Sequence, residues 1–77
     1  MCTQAQQWLD QMEVMVGRHP SIYDVQQKAE QDQLFINYHL DFGLSTIRFS
    51  DCSTVMIDKH RYCVYAGRLT NSRYFTA

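Results

Sequence analysis

The 77-residue chain predicts an α+β domain, with two N-terminal helices packed on one face of a four-stranded antiparallel β-meander. Three observations carry this prediction. Apolar residues recur at helical spacing as far as Val16, and from Leu34 onward they alternate with a period of two. The segments separating the alternating runs have the length of hairpin turns. One domain over 1–77 is expected, made of a helical part at 1–33, a sheet at 34–66 and a tail or edge strand at 67–77.

Thr3 is placed to cap the first helix, and Gln6, three residues on, completes a capping-box pattern. Ala5, Trp8, Leu9, Met12, Met15 and Val16 then form one apolar helical face, opposite Gln4, Gln7, Asp10, Gln11 and Glu13. Gly17 is a natural stop, because the residue just past a helix end often needs positive φ. After Arg18, His19 and Pro20, Ser21 and Asp24 repeat the capping pattern. They open a second helix reaching to about residue 32, with Ile22, Val25 and Ala29 as its thin apolar face.

From Leu34 the period changes. Leu34, Ile36, Tyr38, Leu40 and Phe42 alternate with Phe35, Asn37, His39 and Asp41, which reads as a strand; continuation of the second helix through Ile36 and Leu40 is the open alternative. Three further strands are expected over 45–50, 54–58 and 61–66, and an edge strand over 69–75 is an option for the tail. With turns centred on Phe42-Gly43, Cys52 and Lys59-His60, one row across the sheet is Tyr38, Ile47, Ile57 and Tyr62. The next is Ile36, Phe49, Val55 and Val64. All three hairpins put their apolar residues on one face, which a one-residue slip would undo.

The same register sets three rows on the opposite face: Asn37, Arg48, Met56 and Cys63; His39, Thr46, Asp58 and Arg61; Phe35, Ser50, Thr54 and Tyr65. A merely solvated face would carry more charge and fewer large side chains. Aromatic, Met and Arg residues are those enriched at interface cores. Arg48, Met56, Arg61 and Tyr65, with His39 and Phe35 at the margin, are therefore the candidate partner-binding residues; the alternative is that the tail or the second helix covers this face.

Seven basic and eight acidic residues leave a net charge of -1, but the division is uneven. Residues 1–41 sum to -4 and residues 42–77 to +3, so acidic helices face a basic sheet half, a field able to steer a charged partner. Asp58 and Arg61 are expected to pair across their turn. The isoelectric point near 6.2 weighs against a phosphate-driven nucleic-acid binder, which remains the alternative through Arg48, Arg61, Tyr65, His39 and Phe35.

Chemistry is not signalled. No phosphate-cradling glycine motif, metalloprotease helix motif or nucleophile elbow occurs, and three glycines leave little material for a phosphate loop. Cys2, Cys52 and Cys63 lack zinc-ligand spacing and read as reduced thiols. No cofactor, no metal and no catalytic residue is expected. The apolar runs are too short to span a bilayer, and the first ten residues do not form a signal peptide, so a cytoplasmic protein is expected. The reading is a small non-enzymatic protein-binding module: a stoichiometric inhibitor or adaptor that occludes a site on a larger protein or ribonucleoprotein. In size and lack of motifs alone it resembles small anti-restriction and anti-CRISPR proteins of mobile elements. The exposed edges of a meander also allow a homodimer.

Overall fold

The computed structural model describes residues 3–39 and 43–66. Helix α1 spans Gln4–Val16 and α2 spans Ile22–Gln31. Strands β1 (Ile36–His39), β2 (Leu44–Arg48), β3 (Thr54–Ile57) and β4 (Tyr62–Tyr65) form one antiparallel sheet in the order β1-β2-β3-β4. The α+β meander expected from the sequence is the fold observed. Leu40, Asp41 and Phe42 of the first expected strand, Cys2, and the tail strand proposed over 69–75 lie outside the described residues.

Local chemistry accounts for the helix ends. Thr3 is extended and its Oγ1 accepts the Gln6 N–H at 3.1 Å. The expected capping box is only half formed here; the Gln6 side-chain amide donates to Asp10 at 2.9 Å. Gly17 closes α1 at φ 82, its N–H donating to the Glu13 carbonyl at 2.8 Å. At α2 the box is complete: Ser21 Oγ accepts the Asp24 N–H, and Asp24 Oδ2 accepts the Ser21 N–H. That backbone donor, then the Arg18 guanidinium at 2.8 Å, hold the Asp24 carboxyl at about 2, down from 3.8.

Past α2 the chain turns sharply. Gln33 takes φ 58, and the Leu34 N–H returns to the Ala29 carbonyl at 2.9 Å. A left-handed residue cannot continue an α-helix, so the helical alternative for the following segment is closed and β1 begins at Ile36.

The core lies between the helix pair and one sheet face. Ala5, Trp8, Leu9 and Met12 from α1 and Val25 and Ala29 from α2 meet Ile47, Val55 and Ile57, with Ile22, Leu34, Ile36, Phe49, Tyr62 and Val64 packed around them. The expected α1 face is too long by its last turn: Met15 and Val16 are exposed. Trp8 rests on Phe49 with centroids 5.7 Å apart and donates its indole N–H to Asp32 Oδ2 at 2.9 Å. That bond, and then the Lys28 ammonium, lower the Asp32 pKa.

Two of the three hairpin registers differ from expectation. The β3–β4 pairing sets Ile57 against Tyr62 as predicted. Ile47, however, faces Ile36 and Val55 rather than Tyr38 and Ile57, a slip of two residues at each of these hairpins. The β2–β3 turn accounts for the second slip. Phe49 and Ser53 close a three-residue loop, with Cys52 in the left-handed conformation at φ 71. This is the type I turn plus left-handed residue that favours three-residue hairpins. An even slip leaves every side chain on its predicted face.

The same turn is tied to the start of α1. Asp51 Oδ2 accepts the Gln4 N–H at 2.8 Å and Ser53 Oγ accepts the Ala5 N–H at 3.0 Å. Ser53 Oγ in turn donates to Asp51 Oδ1, and the Gln4 side-chain carbonyl accepts from Ser50 Oγ and the Asp51 N–H at 2.8 and 3.1 Å. Two N–H groups that a helix start leaves unpaired are satisfied across 47 and 48 residues of sequence. The Gln4 N–H, followed by the Ser53 hydroxyl, lowers the Asp51 pKa.

Candidate functional site

The face of the sheet away from the helices carries the candidate binding residues, and the two-residue slip regroups them. Arg48 pairs with Thr54, and Thr54 with Tyr65. Continuing the β1–β2 register one residue beyond Ile36 brings Phe35 opposite Arg48. Phe35, Arg48, Thr54 and Tyr65 thus form a single row across all four strands, in which the arginine stands between two aromatic positions. The row expected from the sequence had Ser50 in the place of Arg48; Ser50 instead belongs to the β2–β3 turn.

Exposure separates the candidates further. Phe35 is 81% exposed and Arg48 is exposed, while Tyr65 is half-buried. Met56, in the next row with Asn37, Thr46 and Cys63, is only 5% exposed, and Thr46 and Thr54 on the same face are 8% and 3% exposed, so the middle of this face is buried and offers little contact area. His39 is half-buried, with Nε2 3.2 Å from Thr46 Oγ1. Arg61 is exposed in the β3–β4 turn, four residues before Tyr65 and so about 13 Å away along the strand at ~3.3 Å per residue. The structure therefore brings Phe35, Arg48 and Tyr65 together and leaves Arg61 and His39 at the far end.

Arg61 lines a separate cleft of about 520 Å³ with His19, Pro20, Tyr23, His60 and Tyr62. On its floor the Tyr62 hydroxyl donates to the Pro20 carbonyl at 2.7 Å, and the Tyr62 ring stacks on His19 with centroids 5.5 Å apart. Burial, then the charges of Glu13 and Asp24, push the Tyr62 hydroxyl above its ordinary 10.0.

Electrostatics follow from where the carboxylates are engaged. In the helical half, Arg18 and Lys28 are paired with Asp24 and Asp32 at 2.8 and 3.0 Å. In the sheet half, Asp51 is committed to the start of α1, and Asp58 accepts the N–H of Lys59. The expected Asp58–Arg61 ion pair does not form; the two residues meet only through the Asp58 N–H and Arg61 carbonyl at 2.8 Å. Among the described residues, Arg48, Lys59 and Arg61 have no carboxylate within 4.0 Å. The basic half of the protein thus presents these cations to solvent.

Cys52 and Cys63 are free thiols, and among the described residues no group of three or more His, Cys, Asp or Glu is placed to hold a metal ion. No helix among them is long and apolar enough to cross a membrane. Exposed aromatics that the sequence reading left out of the site are Tyr23 and Tyr38. Tyr38 is recognisable in retrospect from the run Leu34 to Leu40, which contains no charged residue. No protein-family model matches the chain, and no curated protein or solved structure is significantly similar to it.

Proposed function

We propose that this protein is a stoichiometric protein-binding module that occludes a site on a larger macromolecular partner, using the sheet face opposite its helices. The row of Phe35, Arg48, Thr54 and Tyr65 carries the reading. Aromatic and Arg side chains are the commonest energetic anchors of protein interfaces, and here Arg48 and Tyr65 stand on strands of one sheet, with Phe35 one residue before β1. Phe35 and Tyr65 bring apolar area, and Arg48 brings a charge not satisfied by an ion pair within the described chain. The distance of Arg61 from this row suits a partner with an extended surface better than a small ligand.

The test is affinity capture from source-cell lysate with the wild-type chain and with Phe35→Ala/Arg48→Glu, after circular dichroism has shown that both are folded. A discrete protein recovered with the wild type, binding at one to one, and lost with the double variant supports the reading. Equal recovery by both chains overturns the assignment of the face. The three cations without carboxylate partners favour a second reading, a nucleic-acid binder. In that case a labelled single-stranded oligonucleotide is shifted, and its affinity falls steeply with salt.

A further inference from the structure

Among the described residues the sheet has two edges, and β1 forms one of them. Native proteins guard such edges with lysines, prolines, bulges or inward-pointing charges, because unpaired N–H and C=O groups recruit other strands. β1 has none of these devices. From Gln33 to Leu40 there is no charged residue, no proline and no glycine, and this run has the composition of a strand prone to self-pairing. Two large side chains flank it on opposite faces, with Phe35 81% and Tyr38 59% exposed.

We infer that β1 pairs antiparallel with β1 of a second copy of this chain, joining the two sheets about a two-fold axis through Asn37. A two-fold axis perpendicular to the sheet keeps both helix pairs on the same side. Directly opposite residues must then share a face, which limits the pairing to even registers. Centred on Asn37, this places Ile36 of each copy opposite Tyr38 of the other, an aliphatic–aromatic pair formed twice on the helix side. The uncharged strand and the net charge of -1 put little repulsion between the copies, whereas a strongly charged partner would find no complement along β1. The Phe35–Arg48–Tyr65 rows of the two copies become parts of one continuous face.

A four-residue pairing with flanking side chains buries well under the ~1,200 Å² of a standard stable interface, so the association is weak. Sedimentation equilibrium between about 5 and 500 μM, the range suited to such an interface, is the experiment. The wild type is expected to rise from the 9.1 kDa monomer toward twice that mass. Tyr38→Lys, which places a guarding charge on an already exposed position, is expected to remain monomeric with unchanged circular dichroism. Tyr38→Phe is expected to dimerise as the wild type does. A wild type that stays monomeric throughout, a Tyr38→Lys chain that dimerises equally well, or open-ended association without a dimer plateau overturns the inference. Phe35 and Arg48 are intact in these variants, so the outcome is independent of partner capture.

Discussion

Replacing Ser53 by alanine tests the link between the β2–β3 turn and the first helix. Ser53 and Ala5 are both fully buried, and Ser53 Oγ accepts the Ala5 N–H at 3.0 Å. The substitution removes the acceptor without giving water access to the donor; it also removes the Ser53 hydroxyl's bond to the Asp51 carboxylate, which is exposed and can turn to water instead. A buried N–H left unpaired costs about 1–3 kcal/mol, and the hydroxyl is too small for its loss to open a sizeable cavity. The expected loss is therefore about 2 kcal/mol, out of roughly 4–12 kcal/mol for a chain of this size. With an m-value of about 1 kcal/mol/M in urea, the midpoint falls by about 2 M, and the melting temperature falls by about 8–16 °C. Ser50→Ala is the internal control. It removes an exposed 2.8 Å bond to Gln4 at the same helix start, and because water replaces that partner its effect stays within about 0.5 kcal/mol. Urea unfolding followed by circular dichroism measures both. If Ser53→Ala is no more destabilising than Ser50→Ala, burial of the Ala5 donor does not govern the helix start.

Acid titration and a core substitution test the remaining electrostatics. Asp24, Asp32 and Asp51 all have folded-state pKa values depressed below 3.8, Asp24 to about 2. A depressed carboxyl contributes stability above its unfolded pKa and loses it as pH falls through the folded value. The urea midpoint is therefore expected to be level above pH ~5 and to fall progressively toward pH ~2. Asp24→Asn should flatten part of that slope, and an unchanged slope would dissociate Asp24 from the acid transition. Trp8→Phe removes the indole donor to Asp32 and is expected to cost about 1.5 kcal/mol, the low end for a hydrogen bond to a charged group, because Asp32 is exposed to water and keeps Lys28. Circular dichroism must follow this variant, since Trp8 is the chain's single tryptophan.

Much of this architecture was legible because local signals agreed with one another. Thr3, Gly17 and Ser21 mark helix ends by backbone chemistry that acts within a few residues, and the structure places caps at all three. The helix-side residues Ile36, Ile47, Val55, Ile57, Tyr62 and Val64 were readable from alternation alone. What escaped was register. Turn position depends on which residue accepts a left-handed conformation, and Cys52 at φ 71 is not a residue that advertises it as glycine or asparagine would. The candidate site inherited this error in its grouping but not in its face, so Arg48 moved into the row of Phe35 and Tyr65. The burial of Met56 was left open as the covered-face alternative, because alternation assigns a face and does not say what lies over it. Nor was the reach of α1: the spacing of Met15 and Val16 continues a stripe that the exposed last turn does not bury.

The hook from Asp51 and Ser53 onto Gln4 and Ala5 also bears on the order of events during synthesis. Thirteen residues make a helix that is marginal in water on its own. When Val16 leaves the ribosome, the groups that satisfy the first N–H donors of α1 have not yet emerged. A further 37 residues must be added before Ser53 emerges as well, which takes about 2–7 s at ordinary elongation rates. During that interval the nascent chain holds Trp8, Leu9 and Met12 without the sheet they are buried against. Helix α1, translated before the sheet, is thus among the last elements to become stable, and the emergence of one hairpin turn sets when that happens.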